Sequence, residues 1–355
     1  MKSEKYFMTV IGVIISWILF LNSAGTDDVN SWLKWMNYSS KLGVVEAYRV
    51  LQTDYPPLSF AILSLGDLKL VLGLFFIGSM AIFYLWKKEF LTFYLMFILS
   101  MILGYLDMFY IPFLIGSLWC AEKKNVTLCM VLFTIACFIK WQPIIILPFL
   151  LVYLFEMDYK TILKIITPVV MISFFIINYF GYDAIKLAYD KASSHVYFSA
   201  NALNLNWILT YLMNPIDGEV KWIYGTNIYS VWLFRIFYGI VFIMFIKSKK
   251  EFKDLLTYSM LGFLAYFIFN TGVHENHLLI PALLALLNGN YIVPIMANVN
   301  LFMFYGLIGN GLGISRMVFS YDVTLILAGI NIMIFFSFVV SSITKIAKEK
   351  INRLW

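Results

Sequence analysis

Apolar runs separated by short polar clusters follow one another along almost the whole chain, from Tyr6 to Thr344. Because a membrane-spanning helix needs about 20 mostly apolar residues, and fewer where helix packing or bilayer thinning permits, each run is a candidate span. The predicted spans lie near residues 6–22, 67–86, 90–106, 108–120, 125–139, 143–156, 161–180, 228–246, 255–271, 278–290, 291–308 and 323–343. The pattern therefore predicts an all-α integral membrane protein, a polytopic helical bundle of about 10 to 13 spans.

Composition supports this interpretation. The chain is 62% hydrophobic and 13% charged, with a mean hydropathy of +0.84, whereas an ordinary globular domain is about 25% charged. A soluble fold could not hide so much apolar surface, so we expect a single membrane domain over residues 1–355. The first run follows Lys2 and Lys5 as a secretory signal would. Ser23-Ala24-Gly25 matches a cleavage site poorly, however, and we expect a retained first helix.

The net charge of +6 is distributed as in a membrane protein rather than in a protein that binds nucleic acid. If the N-terminus is cytoplasmic, the inner loops and the basic tail at 345–355 receive 16 of the 26 Lys and Arg residues and 8 of the 20 acids. Basic residues concentrate on the cytoplasmic side of membrane proteins. We therefore predict cytoplasmic N- and C-termini and expect no nucleic-acid partner.

Two loops on the predicted outer side are long, at 22–66 and 181–227, and both are rich in Tyr, Trp and Asn. Trp32, Trp35 and Met36 recur at helical spacing beside Lys34 and Lys41 in the first of them. Amphipathic aromatic helices of this kind lie along a membrane surface. We expect interfacial helices in both loops.

The first loop opens on an acidic motif, Thr26-Asp27-Asp28-Val29-Asn30, directly after the first span. A carboxylate partly buried at the membrane surface has a raised pKa and can act as a general base. The alternative is structural, since Thr26, Asp27 or Asp28 could cap the helix that follows. Spacing alone leaves both interpretations open.

Two further motifs fall on the same predicted side. In Thr53-Asp54-Tyr55-Pro56-Pro57-Leu58 the prolines fix an extended turn, which could orient a ligand or could be a turn and nothing more. The segment 272–281 contains Val273-His274-Glu275-Asn276-His277 at the outer end of a span, where ionisable residues are usually functional. The two histidines with an outer acid could hold a metal, but two ligands are few, and a phosphate or hydrogen-bonding role for His274 is favoured.

Isolated polar residues also collect at this face, although the topology was assigned from other residues. Each alone could be a capping or snorkelling residue. One lysine and one arginine among them would suit a phosphate, as a point charge and as a fork of donors. The set comprises Asp107, Lys140, Gln142, His195, Asn201, Asn204, Trp207 and Arg316.

As a set, these motifs resemble those of the membrane glycosyltransferases of the C-type fold (GT-C), which take a sugar from a polyprenyl-phosphate carrier. DDVNSWLKWM at 27–36 resembles the acidic motif of that superfamily, and DYPPL at 54–58 and VHENH at 273–277 resemble motifs of the dolichyl-phosphate-glucose glucosyltransferases of the endoplasmic reticulum. KWQP at 140–143 and SANALNLNW at 199–207 are similar to prokaryotic mannosyltransferases related to the GPI second mannosyltransferase. The chain departs from the glucosyltransferase pattern at Gly272, where those enzymes have histidine, and at Asn276, where they have lysine.

The resemblance implies an inverting transfer of a hexose, mannose before glucose, from a polyprenyl phosphate to an acceptor hydroxyl. Asp28, or else Asp27, would deprotonate the acceptor, which could be a glycan, a lipid or a protein. The donor phosphate and lipid would be bound by His274, Glu275, His277, Lys140 and Arg316. The acceptor or sugar would be bound by Asp54, Tyr55, Asp107, Gln142, His195, Asn201, Asn204 and Trp207. No cofactor is expected, with a divalent metal left open.

The main alternative function is a multispan transporter of a polar or lipid-linked solute, since scattered polar groups among many spans also fit alternating access. Transporters place such groups near the bilayer midplane in repeated halves, whereas here they collect at one face and no repeat is visible. A non-catalytic scaffold and a polysaccharide polymerase or ligase are further alternatives. The wealth of Ile, Lys, Asn and Tyr suggests an AT-rich genome, and we expect a prokaryotic plasma membrane. The glycosylation sequon at 37–39, which this topology places outside, also fits an endoplasmic-reticulum lumen.

Overall fold

The computed structural model describes residues 2–155, 158–194, 197–213, 223, 225–309, 317–318 and 321–351. Helices make up most of this part of the chain. The apolar helices are α1 (Lys2–Asn22), α5 (Leu68–Lys87), α6 (Leu91–Ile102), α7 (Ile111–Glu122), α8 (Val126–Ile139), α9 (Leu147–Leu154), α10 (Tyr159–Phe180), α13 (Ile228–Lys247), α14 (Phe252–Phe269), α15 (Leu279–Leu287), α16 (Ile292–Tyr305) and α17 (Val323–Ile351).

The two long loops contain shorter helices. These are α2 (Asp28–Leu42), α3 (Val44–Leu51) and α4 (Pro57–Leu63) in the first loop, and α11 (Tyr182–Ser193) and α12 (Leu205–Met213) in the second. Four two-residue strands form two small pairs. Strand β1 (Ser199–Ala200) runs parallel to β2 (Val273–His274), and β3 (Met317–Val318) is antiparallel to β4 (Tyr321–Asp322). Within the described ranges, 3₁₀ helices span Leu106–Phe109, Gln142–Ile146 and Glu275–Leu278.

Among the described residues, five helices are long and apolar enough to cross a membrane: α5, α10, α13, α14 and α17 over Val323–Lys348. Helix α14 is the centre of the bundle, because 78% of its most apolar window is buried inside the protein. Helix α10 has only 17% of its window buried, and Phe174, Phe175 and Tyr179 on it are exposed. Apolar faces of this size are typical of helices that contact lipid, and the fold is consistent with an all-α membrane protein.

Every predicted span coincides with an apolar helix, but six of the twelve helices, α6, α7, α8, α9, α15 and α16, are only 8 to 14 residues long in the part of the chain that the structure describes. The span predicted at 143–156 shows the cause. Pro143 lies in the first turn of the 3₁₀ helix Gln142–Ile146 and Pro148 in the first turn of α9, since proline fits the first turn of a helix but cannot continue one. The segment is thus divided between two short helices, and the short helices leave much of the chain to the connecting loops.

Three of these connecting loops bond to one another. The backbone N–H of Thr26 donates to the carbonyl of Leu103 at 3.0 Å, which ties the first long loop to the turn after α6. The indole Nε1 of Trp141 donates to the carbonyl of Asp54 at 3.0 Å, which ties the turn after α8 to the same loop. The structure therefore brings together the loops that the charge count assigns to the outer side.

Candidate functional site

A polar cleft of about 170 Å³ opens among these loops. Seven of the residues singled out in the sequence line it: Asp28, Asp54, Tyr55, Lys140, Gln142, His274 and His277. Residues that the sequence did not single out as ligand-binding complete the wall, among them Trp32, Trp35, Trp141, Tyr266 and Asn276. Residues from positions 28 to 277 thus meet at one place.

Asp28 is the first residue of α2 and faces the cleft. Asp27 occupies the N-cap position, but its side chain makes no capping hydrogen bond, and Asp27 is not among the described residues that line the cleft. The carboxyl of Asp28 reaches solvent through the cleft, yet the surrounding protein desolvates it and raises its pKa, with further contributions from Asp54 and Asp107, against the lowering effect of Lys140. A carboxylate in this setting is a stronger base than an ordinary surface aspartate.

A glycine turn fixes the start of α2. Gly25 has a φ of +71°, which glycine adopts without strain, and its backbone bridges to Gly309. A Cβ at Gly25 would lie 2.5 Å from Cγ2 of Val29 and 2.9 Å from the carbonyl oxygen of Leu103. The tight approach sets the direction in which the chain leaves α1, and so the position of Asp28 three residues later.

Lys140 and Asp107 form a buried ion pair behind the cleft, with Nζ 3.1 Å from Oδ2 and side chains only 6% and 3% exposed. Asp107 also accepts from Nδ2 of Asn276 at 2.9 Å and from the hydroxyl of Tyr110 at 3.2 Å. Nζ of Lys140 donates a second hydrogen bond, of 2.9 Å, to the hydroxyl of Tyr55. Two of the three ammonium hydrogens are thus bound to described residues, and the Lys140 side chain lines the cleft.

Aromatic rings build the wall on the α2 side. The Tyr55 ring contacts Trp32 and Trp35 edge-to-face at 5.0 and 5.5 Å between centroids, and Trp35 stacks on Phe60 at 5.3 Å. Pro56 and Pro57 hold Tyr55 here, because Pro56 is extended and Pro57 starts α4. The result is a rigid apolar platform beside a cation and several carboxylates.

The histidine motif is held by backbone pairing. Strand β1 of the second long loop pairs with Val273 and His274, and the N–H of Gly272 donates to the carbonyl of Tyr197 at 2.8 Å. Nδ1 of His277 accepts from the backbone N–H of His274 at 3.3 Å, and its Nε2 lies 3.0 Å from the side-chain amide of Gln142. Both imidazoles line the cleft on a fixed backbone.

Glu275 points away from the cleft into a tyrosine pair. Its Oε1 accepts from the hydroxyl of Tyr105 at 2.5 Å and from that of Tyr305 at 3.3 Å. Burial raises the pKa of this carboxyl from 4.5 to about 7, because desolvation outweighs the two hydroxyl donors. Glu275 lies in the loop between α14 and α15, as a neighbour of the cleft rather than part of its lining.

The raised pKa of Glu275 has a consequence for stability. The folded protein holds this proton up to pH of about 7 whereas the unfolded chain releases it near 4.5, so the stability that it contributes is lost as pH rises through that window. Glu275→Gln keeps the acceptor oxygen and removes the charge, so we expect a higher Tm than wild type above pH 7 and little difference near pH 4. Thermal unfolding in detergent across this pH range measures it. The exposed Glu46→Gln is the control, and an equal Tm difference at all pH values would contradict the assignment.

Comparisons with models of known protein families, with curated proteins and with solved structures found no match for this chain. Its function is inferred from the site.

Not all residues predicted for the site lie in it. Asn204 donates to the carbonyl of Phe267 at 2.9 Å, and Trp207 donates to Thr324 at 2.8 Å, so both fasten the second loop to the bundle. Asn201 lies next to the cleft, bridged to His274 and 3.4 Å from the hydroxyl of Tyr305. Asp107 is not part of the cleft lining and contacts Lys140, which is. His195 and Arg316 lie outside the described residues. Within the described residues no group of three or more His, Cys, Asp and Glu is arranged to hold a metal.

Sequence reasoning missed several members of the site. In the sequence, the spacing of Trp32 and Trp35 indicates only membrane-surface aromatics, and Asn276 is only a departure from a family pattern. Tyr105 and Tyr305, which bind Glu275, carry no local signal because they are 170 and 30 residues away from it in the chain. Tyr105 could have been noticed from its place in the chain, since it follows Gly104 in the same turn as Asp107, which the sequence singles out.

An apolar groove of about 200 Å³ adjoins the cleft. Helices α8 and α10 form its sides through residues such as Phe133, Cys137 and Val169. Trp141 lines both the groove and the cleft. A ligand that occupies both would have a polar head among Asp28, Lys140 and the histidines, and an apolar tail between two helices.

Proposed function

We propose that the protein is an inverting glycosyltransferase that moves a hexose, mannose before glucose, from a polyprenyl-phosphate carrier to an acceptor hydroxyl. The observation that carries this proposal is the junction at Trp141 between the polar cleft and the apolar groove. A prenyl tail fits the groove, while its phosphate and sugar fit a cleft with one ammonium group, two imidazoles and a carboxylate of raised pKa.

In the proposed reaction the acceptor oxygen attacks C1 of the sugar while the bond from C1 to the phosphate oxygen breaks. Asp28 takes the proton of the acceptor hydroxyl. The phosphate leaves with the bonding electron pair, and its charge changes from −1 to −2. Attack from the face opposite the leaving group inverts the configuration at C1.

Lys140 would stabilise the charge that develops on the phosphate. Its ammonium is oriented by Asp107 and Tyr55 before any ligand binds, and an oriented donor in a site shielded from water costs no reorganisation during the reaction. His274 lines the same cleft and would supply a further donor, whereas both ring nitrogens of His277 already have partners in the protein. We further propose that the cleft faces the outer side of a prokaryotic plasma membrane, with both termini inside and no cofactor.

The test of this function is transfer by purified protein in detergent or vesicles. Mannosyl, glucosyl and pentosyl polyprenyl phosphates are offered with a mixture of simple glycoside and glycolipid acceptors, and the products are identified by mass spectrometry. We expect a glycosylated acceptor and free polyprenyl phosphate from one hexosyl donor. Lack of turnover with every donor, from protein of native Tm, would overturn the proposal.

The groove gives a prediction about the tail. Val169 lines it, whereas its neighbour Val170 on the same helix is 56% exposed to the lipid side. Val169→Trp fills the groove, so KM for a long-chain polyprenyl donor should rise about tenfold or more, since each buried CH₂ group contributes about 0.8 kcal/mol. Steady-state kinetics with long-chain donors and with donors of about ten carbons measure this.

The matched control is Val170→Trp, which adds the same ring outside the groove. It should transfer from both donors as wild type does. An unchanged KM for the long chain in Val169→Trp, or an equal loss with the short chain, would contradict binding of the tail between α8 and α10.

A further inference from the structure

Three polar side chains around the cleft carry a buried atom that no described residue binds in the structure: Nε1 of Trp32, Oε1 of Gln142 and Oδ1 of Asn276. Trp32 is 3% exposed and Asn276 5% exposed, and all three line the cleft. Buried polar atoms nearly always have hydrogen-bond partners, and each exception calls for an explanation. Three exceptions at one cleft indicate that a ligand supplies the partners.

The orientation of Asn276 follows from its neighbour. Oδ2 of Asp107 lies 2.9 Å from Nδ2 of Asn276, and a carboxylate paired with lysine only accepts hydrogen bonds. The amide therefore directs its NH₂ group to Asp107, and its oxygen is the atom left for a ligand. That ligand must present a hydrogen-bond donor to Asn276.

The orientation of Gln142 follows from His277. Nδ1 of His277 accepts from the backbone N–H of His274, so the ring proton lies on Nε2. Nε2 faces the side-chain amide of Gln142 at 3.0 Å, and that amide satisfies the ring proton by turning its oxygen toward it. This turn exchanges the two ends of the amide, so the unbound atom of Gln142 is then its NH₂ nitrogen, which is a hydrogen-bond donor.

We propose that Trp32, Gln142 and Asn276 determine sugar specificity by binding the hydroxyl groups of the transferred hexose. A phosphodiester carries no hydrogen and cannot satisfy the oxygen of Asn276, whereas a sugar hydroxyl both donates and accepts. The indole of Trp32 is fixed by edge contacts with Trp35 and Tyr55, so its N–H has a defined direction. This inference rests on the proposed glycosyl transfer and assigns its substrate contacts.

The experiment compares Trp32→Phe and Gln142→Met with wild type on a series of polyprenyl-phosphate hexoses that each lack one hydroxyl. Wild type should lose about 10- to 100-fold in kcat/KM when a bound hydroxyl is removed. Trp32→Phe keeps the ring and loses the N–H. With the intact sugar, Trp32→Phe should lose about 10- to 100-fold in kcat/KM. With the donor that lacks the hydroxyl bound by Trp32, its kcat/KM should fall no further. Gln142→Met should show the same loss with the intact sugar, and no further loss with the donor that lacks the hydroxyl bound by Gln142.

Trp86→Phe is the matched control, because the Trp86 indole donates to Glu122 at 2.8 Å, away from the cleft. It should keep the wild-type ranking of all donors. If both cleft variants fold, as judged by Tm, and also keep the wild-type ranking, the inference is overturned while the glycosyltransferase function stands. If wild type uses no donor at all, the proposed function fails and the inference falls with it. Should Trp32→Phe fail to fold, Gln142→Met decides.

Discussion

The Asp28→Asn variant is expected to lower kcat for sugar transfer by about three orders of magnitude, the contribution of a positioned general base. Asparagine has nearly the shape of aspartate but cannot take the acceptor proton. Asp28 lines the cleft, and desolvation raises its pKa, so this carboxylate is placed and tuned to accept a proton. Single-turnover assays with a saturating donor measure the chemical step, and donor binding should change little.

Asp27→Asn is the matched control, one residue away on the same turn. Its side chain makes no capping bond and lies outside the cleft lining, so a loss of less than about tenfold is expected. The reverse ranking would make Asp27 the base. Undiminished transfer in the double variant would remove general-base catalysis by this motif.

Lys140→Met is expected to affect both stability and activity. It leaves Asp107 charged and buried without its counter-ion, which costs about 3–5 kcal/mol of unfolding free energy. It also removes the ammonium group proposed to stabilise the leaving phosphate, for which a loss of about 100- to 1,000-fold in kcat is expected. Denaturant or thermal unfolding in detergent and a transfer assay measure the two effects.

A double variant separates the two roles. Lys140→Met with Asp107→Asn removes both charges, so we expect most of the stability to return while transfer stays lost. The control is Lys186→Met, which breaks an exposed pair with Asp190 of 2.6 Å on α11 and should change stability by at most about 0.5 kcal/mol. Recovery of transfer along with stability in the double variant would show that Lys140 is structural only.

The helices were the most predictable part of the fold, because apolar runs determine where they lie. The points at which helices begin and end were less predictable. The sequence predicted one uninterrupted span at 143–156, whereas Pro143 and Pro148 divide the segment into a 3₁₀ helix and α9. The pairing of charges was not predictable either. Lys140 and Asp107 were both assigned to the outer face, but their contact depends on the packing of α7 and α8, which places side chains 33 residues apart within 3.1 Å.

For the candidate site, short motifs located much of the lining but not the roles of its atoms. DYPPL indicated a rigid turn, and the structure has one at Tyr55. The resemblance of the segment 199–207 predicts ligand-binding residues, whereas Asn204 and Trp207 in this segment hydrogen-bond to Phe267 and Thr324 of the helical bundle. A polar side chain in a loop can bind protein or ligand equally well, and only its neighbours in three dimensions decide. For the same reason, the lack of a hydrogen-bond partner for the N–H of Trp32 can be recognised only in the folded structure.

The pairing of β1 with β2 affects how the protein is made. It joins residues 199–200 to residues 273–274, while Asp28 and Lys140 enter the membrane much earlier during synthesis. The cleft therefore cannot assemble until about three quarters of the chain has left the ribosome. Until then the nascent chain carries Lys140 and the first loop without the wall that completes their environment. Chains that terminate before residue 273 would lack β2, and with it the wall that carries His274 and His277.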